Sequence, residues 1–148
     1  MASTSASAPI PLYKEGTEFW QDLTGECKRY VDCANETLAR NGVNPEGLLR
    51  CTAAPESLQI IKTAPPSLKV ELILNLFSWG PVIGVTIARQ QNDGKRCLPQ
   101  EFELPLASDF DSRTVAIHHE GRGFSPHEVA SFLTQYFHPC YPGIAFPC

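Results

Sequence analysis

Ser67-Leu68-Lys69-Val70-Glu71-Leu72-Ile73-Leu74-Asn75-Leu76-Phe77 decides the fold, because Leu68, Val70, Leu72, Leu74 and Leu76 occupy every second position. Only an extended strand places alternate residues on one face, so the segment predicts a strand with those five side chains toward a core. The opposite face reads Lys69, Glu71, Ile73, Asn75 and Phe77, neither fully polar nor fully apolar. Such a strand belongs to a sheet covered on one side and half-exposed on the other.

The same alternation predicts strands at Ser57 to Thr63, Ser67 to Trp79, Val82 to Gln90, Gln100 to Ala107 and Arg113 to Glu120. Pro65-Pro66, Trp79-Gly80-Pro81 and Asn92-Asp93-Gly94-Lys95 break them apart, and connections this short predict an antiparallel meander. Ile83, Val85 and Ile87 extend the core face, as do Phe102, Leu104 and Leu106, and then Val115 with Ile117. Pro105 has no N–H for a ladder, so the fourth strand is expected to lie at an edge or to bulge there.

Helical periodicity flanks the strands. From Thr17 to Asn41 the residues Phe19, Trp20, Leu23, Cys27, Tyr30, Val31, Ala34 and Leu38 recur at spacings of three and four, and Gly42 supplies a left-handed stop. Gly25 costs that helix about 1 kcal/mol relative to Ala, which predicts a kink or a close contact. Residues 43 to 55 read as a connector with room for one helical turn at Glu46 to Cys51. Near the end, Ser125-Pro126-His127-Glu128 combines a capping serine, a proline at the first helical position and a glutamate at the third. Val129, Phe132, Leu133, Tyr136 and Phe137 then form an apolar stripe that His138-Pro139 ends. The expected fold is α+β: a meandering antiparallel sheet of four or five strands, with the long first helix and the capped last helix packed on one face. The expected organisation is a flexible leader (1–14), one α+β domain (15–138) and a proline-rich tail (139–148).

Phe19-Trp20-x-x-Leu23 opening a helix, a meander, and Ser125-x-x-Glu128-Val129-Ala130-x-Phe132-Leu133 closing the chain together resemble small uncharacterised bacterial proteins built as helix, antiparallel sheet, helix. That resemblance implies the architecture and no activity. The order helix, three strands, two strands, helix is also similar to acidic secretion chaperones, dimers that hold an effector segment. The helix that those chaperones place between their third and fourth strands has no counterpart in Asn92 to Pro99.

Composition narrows the classes of function. The 148 residues are 43% hydrophobic and 19% charged, with a net charge of -4. One domain with a sizeable core fits this length. No basic run exceeds Lys28-Arg29 or Lys95-Arg96, so no nucleic-acid footprint is expected. The amino terminus shows neither the basic nor the apolar part of a secretory signal, and no stretch approaches a membrane span. A cytoplasmic location without membrane contact follows as an expectation. In that setting the six cysteines, Cys27, Cys33, Cys51, Cys97, Cys140 and Cys148, are expected to be thiols. Cys27 and Cys33 lie six apart on a helix and cannot pair with each other. Cys140 and Cys148 leave a pairing within the tail open.

Constellations able to carry chemistry are sparse. His118 and His119 point to opposite faces of a strand, and His127 and His138 lie some 16 Å apart on a helix, so neither pair chelates one ion. Glu101 and Glu103 share a face about 7 Å apart, and a charged outer strand face that discourages edge pairing explains them. Asp109-x-Asp111 lacks the remaining ligands of a calcium loop. Arg122, beside the start of the last helix, admits a weak anion site. No metal, no cofactor and no catalytic residue is expected. The expected function is a non-enzymatic binding or assembly protein that uses the half-apolar outer face at Ile73, Asn75 and Phe77, or the aromatic tail, as its contact surface, in a homodimer or with another protein. The competing expectation is that the tail, with Tyr141 and Phe146, folds back over that face and keeps the chain monomeric. The alternatives are a ligand or enzyme pocket between sheet and helices, with Tyr30, Tyr136 and a cysteine or histidine as its polar groups, and a secretion-chaperone-like protein.

Overall fold

A computed structural model describes residues 9–78, 80–90, 95, 97–108, 114–117 and 122–148. Helix α1 (Pro9–Arg40) leads through a 3-10 turn (Pro45–Gly47) into strands β1 (Arg50–Ala54), β2 (Ser57–Lys62), β3 (Ser67–Phe77), β4 (Gly80–Gln90), β5 (Gln100–Ser108), β6 (Thr114–Ile117) and β7 (Gly123–Phe124). Helix α2 (Pro126–Thr134) and a 3-10 segment (Gln135–Cys140) follow. The strands lie in chain order, each antiparallel to the next. The architecture is therefore α+β, a meander with the long helix and the capped helix on one face.

The alternation in β3 does what its period requires. Leu68, Val70, Leu72 and Leu74 are buried and face α1 and α2 in one core cluster. Leu76, expected to belong with them, is 50% exposed; it pairs with Pro81 near the end of the strand. In α1 every residue of the expected stripe, from Phe19 to Leu38, is buried. Gly16 lets the helix approach, since a Cβ there would stand 2.8 Å from the Pro81 ring. Gly25 shows the opposite: a Cβ there would meet nothing within 4 Å, so the expected close contact is absent.

At the end of α1 the Val43 N–H bonds the Leu38 carbonyl and the Gly42 N–H bonds that of Ala39, with Gly42 at a φ of 81°. That crossed pair satisfies carbonyls the helix leaves free, and it needs the glycine. At α2 the Ser125 hydroxyl accepts from the Glu128 N–H while the Glu128 carboxylate accepts from the Ser125 N–H, the reciprocal cap that the sequence predicts.

Several boundaries differ from expectation. The first helix begins at Pro9, inside the expected leader. The connector holds its turn at Pro45–Gly47 and then the additional strand β1, which carries no apolar alternation to announce it. The Asn35 side chain joins the two, its amide donating to the Leu49 carbonyl and its oxygen accepting from the Leu49 N–H. Pro105 marks the point where β5 passes from pairing with β4, over Gln100 to Pro105, to pairing with β6, from Leu106 on. Among the described residues no helix is long and apolar enough to cross a membrane.

Candidate functional site

Ile73, Asn75 and Phe77 lie on the sheet face away from the helices. Ile73 is 41% exposed, Phe77 is 38% exposed and Asn75 is half-buried. Ile73 pairs directly with Gly84 on β4, and the missing side chain there leaves a hollow. A groove of about 500 Å³ runs through it, lined by Ile73, Asn75, Gly84, Thr86, Glu101 and Glu103. Both glutamates are exposed on this face, as their alternation in β5 predicts. At the other flank Arg50 and Lys69 sit on either side of Ile61 on the same face, while Glu71 accepts a hydrogen bond from Gln59. Phe77 lies at the strand end, its carbonyl accepting from the Tyr13 hydroxyl.

A second concavity lies between α1, α2 and the chain terminus. It measures about 390 Å³, and Glu26, Arg29, Tyr30, His127, Ser131 and His138 are among its lining residues. Glu26 binds the Arg29 guanidinium through one oxygen at 2.7 Å, and its other oxygen lies 3.2 Å from His127 Nδ1. Tyr30 donates to the Thr134 carbonyl at 3.5 Å, and burial pushes its phenol up to about 12. His138 Nε2 is buried without a hydrogen-bond partner. The expected pocket lay between sheet and helices with Tyr30 and Tyr136 together. Tyr30 is in this cleft, but Tyr136 lines another, beside Arg89, Cys97 and Cys140.

The helix spacing that separates His127 from His138 does not stop both from lining one cleft, because the second lies on the 3-10 segment that bends back toward α1. His118, His119, Asp109 and Asp111 lie outside the described residues. No group of three or more His, Cys, Asp or Glu among the described residues is placed to hold a metal ion. The anion site considered at Arg122 is taken by the chain itself: the Glu128 carboxylate fills the helix start, and the Arg122 guanidinium stands 5.4 Å over the Phe124 ring.

The cysteines correct two expectations. Cys33 and Cys148 form a disulfide with their Cα atoms 6.1 Å apart, so the chain is not all thiol and Cys148 does not pair with Cys140. The half-buried Cys33 sits on the flank of the α1 stripe, and the 3-10 segment turns the terminus back onto that flank. Cys27, Cys51, Cys97 and Cys140 are thiols. Burial pushes the Cys27 thiol up to about 12 and raises those of Cys51 and Cys140. The tail is no loose end either. Tyr141 is buried and its hydroxyl donates to the Gly47 carbonyl at 2.5 Å, while the Phe146 ring stacks on His138 at 4.9 Å.

Sequence reasoning also passed over Lys62. It stands on the core face of β2, 4% exposed, and donates to the Ala64 and Pro66 carbonyls with the Tyr141 ring 5.4 Å from its ammonium. Burial lowers its pKa. The one signal was a lysine in phase with Leu58 and Ile60 next to a Pro-Pro turn whose carbonyls needed donors.

Compared with known proteins, the chain matches no family model, no curated protein and no solved structure.

Proposed function

We propose that this chain is a binding or assembly protein that works as a homodimer through the outer face of β3, β4 and β5. One observation carries the reading: Ile73, in the middle of the sheet, stays 41% exposed on the face opposite the core cluster that both helices and the tail pack into. The tail is the chain's own candidate cover for that face, and it is committed to Tyr30, His138 and Cys33 instead. The face is self-complementary. A two-fold axis lying in the interface seats Ile73 of each copy in the Gly84 hollow of the other. Arg50 and Lys69 on one flank then approach Glu101 and Glu103 on the opposite flank, which favours one register over others.

Light scattering and sedimentation of the full chain test this. A dimer that becomes monomeric in Ile73→Glu, and in Gly84→Leu where the hollow is filled, is the expected result. A monomer at high concentration removes the homodimer and leaves only a different protein as partner. The cytoplasm is the proposed location, and in its reducing thiol pool Cys33 and Cys148 take the dithiol form.

A second reading, a small-ligand site in the cleft between α1 and α2, has one observation in its favour: the unpartnered buried Nε2 of His138. A polar atom in that position costs free energy until something hydrogen-bonds it. A thermal-shift screen of small hydrogen-bonding molecules, repeated on His138→Phe, separates a ligand at that nitrogen from nonspecific stabilisation.

A further inference from the structure

Among the described residues, the segment from Pro142 to Cys148 is held to the body of the protein by the packing of Ile144 and Phe146 and by one covalent bond. Its residues are exposed except for Ile144 and Phe146, which are half-buried. The hydrogen bond from the Ile144 N–H to the Tyr141 carbonyl lies at the segment's own root. Two attachments reach across to other elements. One is the Phe146 ring, stacked on His138 and 6.5 Å from the Tyr30 ring, and packed with Ile144 against the edge of the core; the other is the bond from Cys148 to Cys33 on α1. Tyr141 is anchored separately, through its burial in the core and its bond to Gly47, so loss of both attachments leaves the root in place.

Access and competition also favour exchange at this bond. Cys148 is exposed, Cys33 is half-buried, and both line the cleft between α1 and α2, which gives a reductant a path to either sulfur. Of the free thiols, those of Cys27, Cys51 and Cys140 are raised by burial, so at neutral pH they supply little thiolate to reshuffle the pair.

We infer that the Cys33 and Cys148 pair is a redox latch that holds the carboxyl-terminal segment across the cleft between the helices and frees it when a dithiol reduces the bond. In the opening step a thiolate of the dithiol attacks one of the two sulfurs and the other leaves as a thiolate, which takes a proton. The second thiol of the reductant then attacks the mixed disulfide, releasing the remaining cysteine as a thiolate that is also protonated. Two electrons and two protons pass to the protein, and the reductant departs as its own disulfide. With the latch open the cleft loses the wall made by Cys148, and Phe146 can leave the rings of His138 and Tyr30. With it closed, the terminus restricts what reaches Glu26, His127 and His138.

The test is hydrogen exchange of the full chain, air-oxidised and then treated with dithiothreitol, with peptide mapping of the oxidised form. A linked peptide pair containing Cys33 and Cys148 is expected. On reduction the Ile144 amide, whose bond to the Tyr141 carbonyl is held in place by the segment beyond it, is expected to exchange at least about tenfold faster, with the amides of β3, β4 and α2 unchanged. Cys148→Ser and Cys33→Ser should each reproduce the open pattern without reductant. Absence of the linked peptide overturns the inference. So does a terminus that stays protected after reduction and in both variants, and so does a loss of protection spread through the whole chain, which would make the bond a staple of the fold rather than a latch.

Discussion

Leu72 and Ile73 are neighbours in one strand, and they live in different solvents. Leu72 is 0% exposed beneath the helices and Ile73 is 41% exposed on the other face. The covered face brings together Leu58, Ile60, Val70, Leu72, Val85 and Ile87 with the stripes of both helices in one cluster. On the open face, the side chains along the groove are those of Ile73, Asn75, Thr86, Glu101 and Glu103, with Gly84 among them. A face that must hold a fold needs continuous apolar volume. A face free of that duty can mix charge, hollow and hydrophobe, which is what selective contact requires.

The sharpest way to break this contrast is to remove side-chain volume beneath the helices. Leu72→Ala is expected to cost about 2–5 kcal/mol, because a cavity among Leu58, Val85 and the helices cannot fully collapse. Denaturant unfolding at low protein concentration measures it. A cost near that of a surface substitution would mean the core is not where the alternation puts it.

That alternation is also why so much was legible. In β3 the period of two has a single physical meaning, and in α1 the spacing of three and four has another, so residues from Phe19 to Leu38 and from Leu68 to Leu74 declare their faces without tertiary information. Arg50-Cys51-Thr52-Ala53-Ala54 declares nothing, since its residues carry little apolar contrast, and β1 exists because β2 offers it a paired edge. The open face at Ile73 was readable for the same reason as the core, as its complement. The cleft was not. It depends on how the 3-10 segment Gln135–Cys140 turns toward α1, and on Cys148 meeting Cys33 across a sequence separation of 115. Spacing along the chain carries no record of such a contact.

The helices that cover the sheet can be probed at the α2 cap and along α1. Ser125→Ala is expected to cost about 0.5–2 kcal/mol through loss of the bond to the Glu128 N–H. The Glu128 carboxyl is held below its ordinary value, chiefly by the bond from the Ser125 backbone N–H and then by the Ser125 side chain. A depressed folded pKa adds stability that is present above the unfolded value and is lost as pH falls through the folded one. The wild-type chain should therefore lose this increment in acid, below the ordinary 4.5 of the group, while Glu128→Gln should show a flatter acid limb in unfolding measured against pH. A parallel acid limb would show that the cap does not contribute. Along α1, Gly25→Ala is expected to raise stability by about 0.5–1 kcal/mol, since the new Cβ meets nothing and the helix loses a flexible residue. A destabilised variant would show that Gly25 serves a contact.

The smallest expected effect is the most informative. Ile73→Ala, measured where the chain is dilute, should cost about 1 kcal/mol or less, well under Leu72→Ala, because 41% of the residue stays in water after folding. If the open face is the contact between copies, that indifference must vanish as concentration rises, since association stabilises only the folded state. The wild-type melting temperature should climb with protein concentration, while that of Ile73→Ala should climb less and that of Ile73→Glu not at all. Gly84→Leu should match Ile73→Glu in this respect, because filling the hollow removes the seat for the opposite isoleucine. A melting temperature independent of concentration in all four proteins would leave the mixed character of this face without a second copy to explain it. A large loss in dilute Ile73→Ala would go further, placing Ile73 in the fold's own packing and erasing the difference between the two faces.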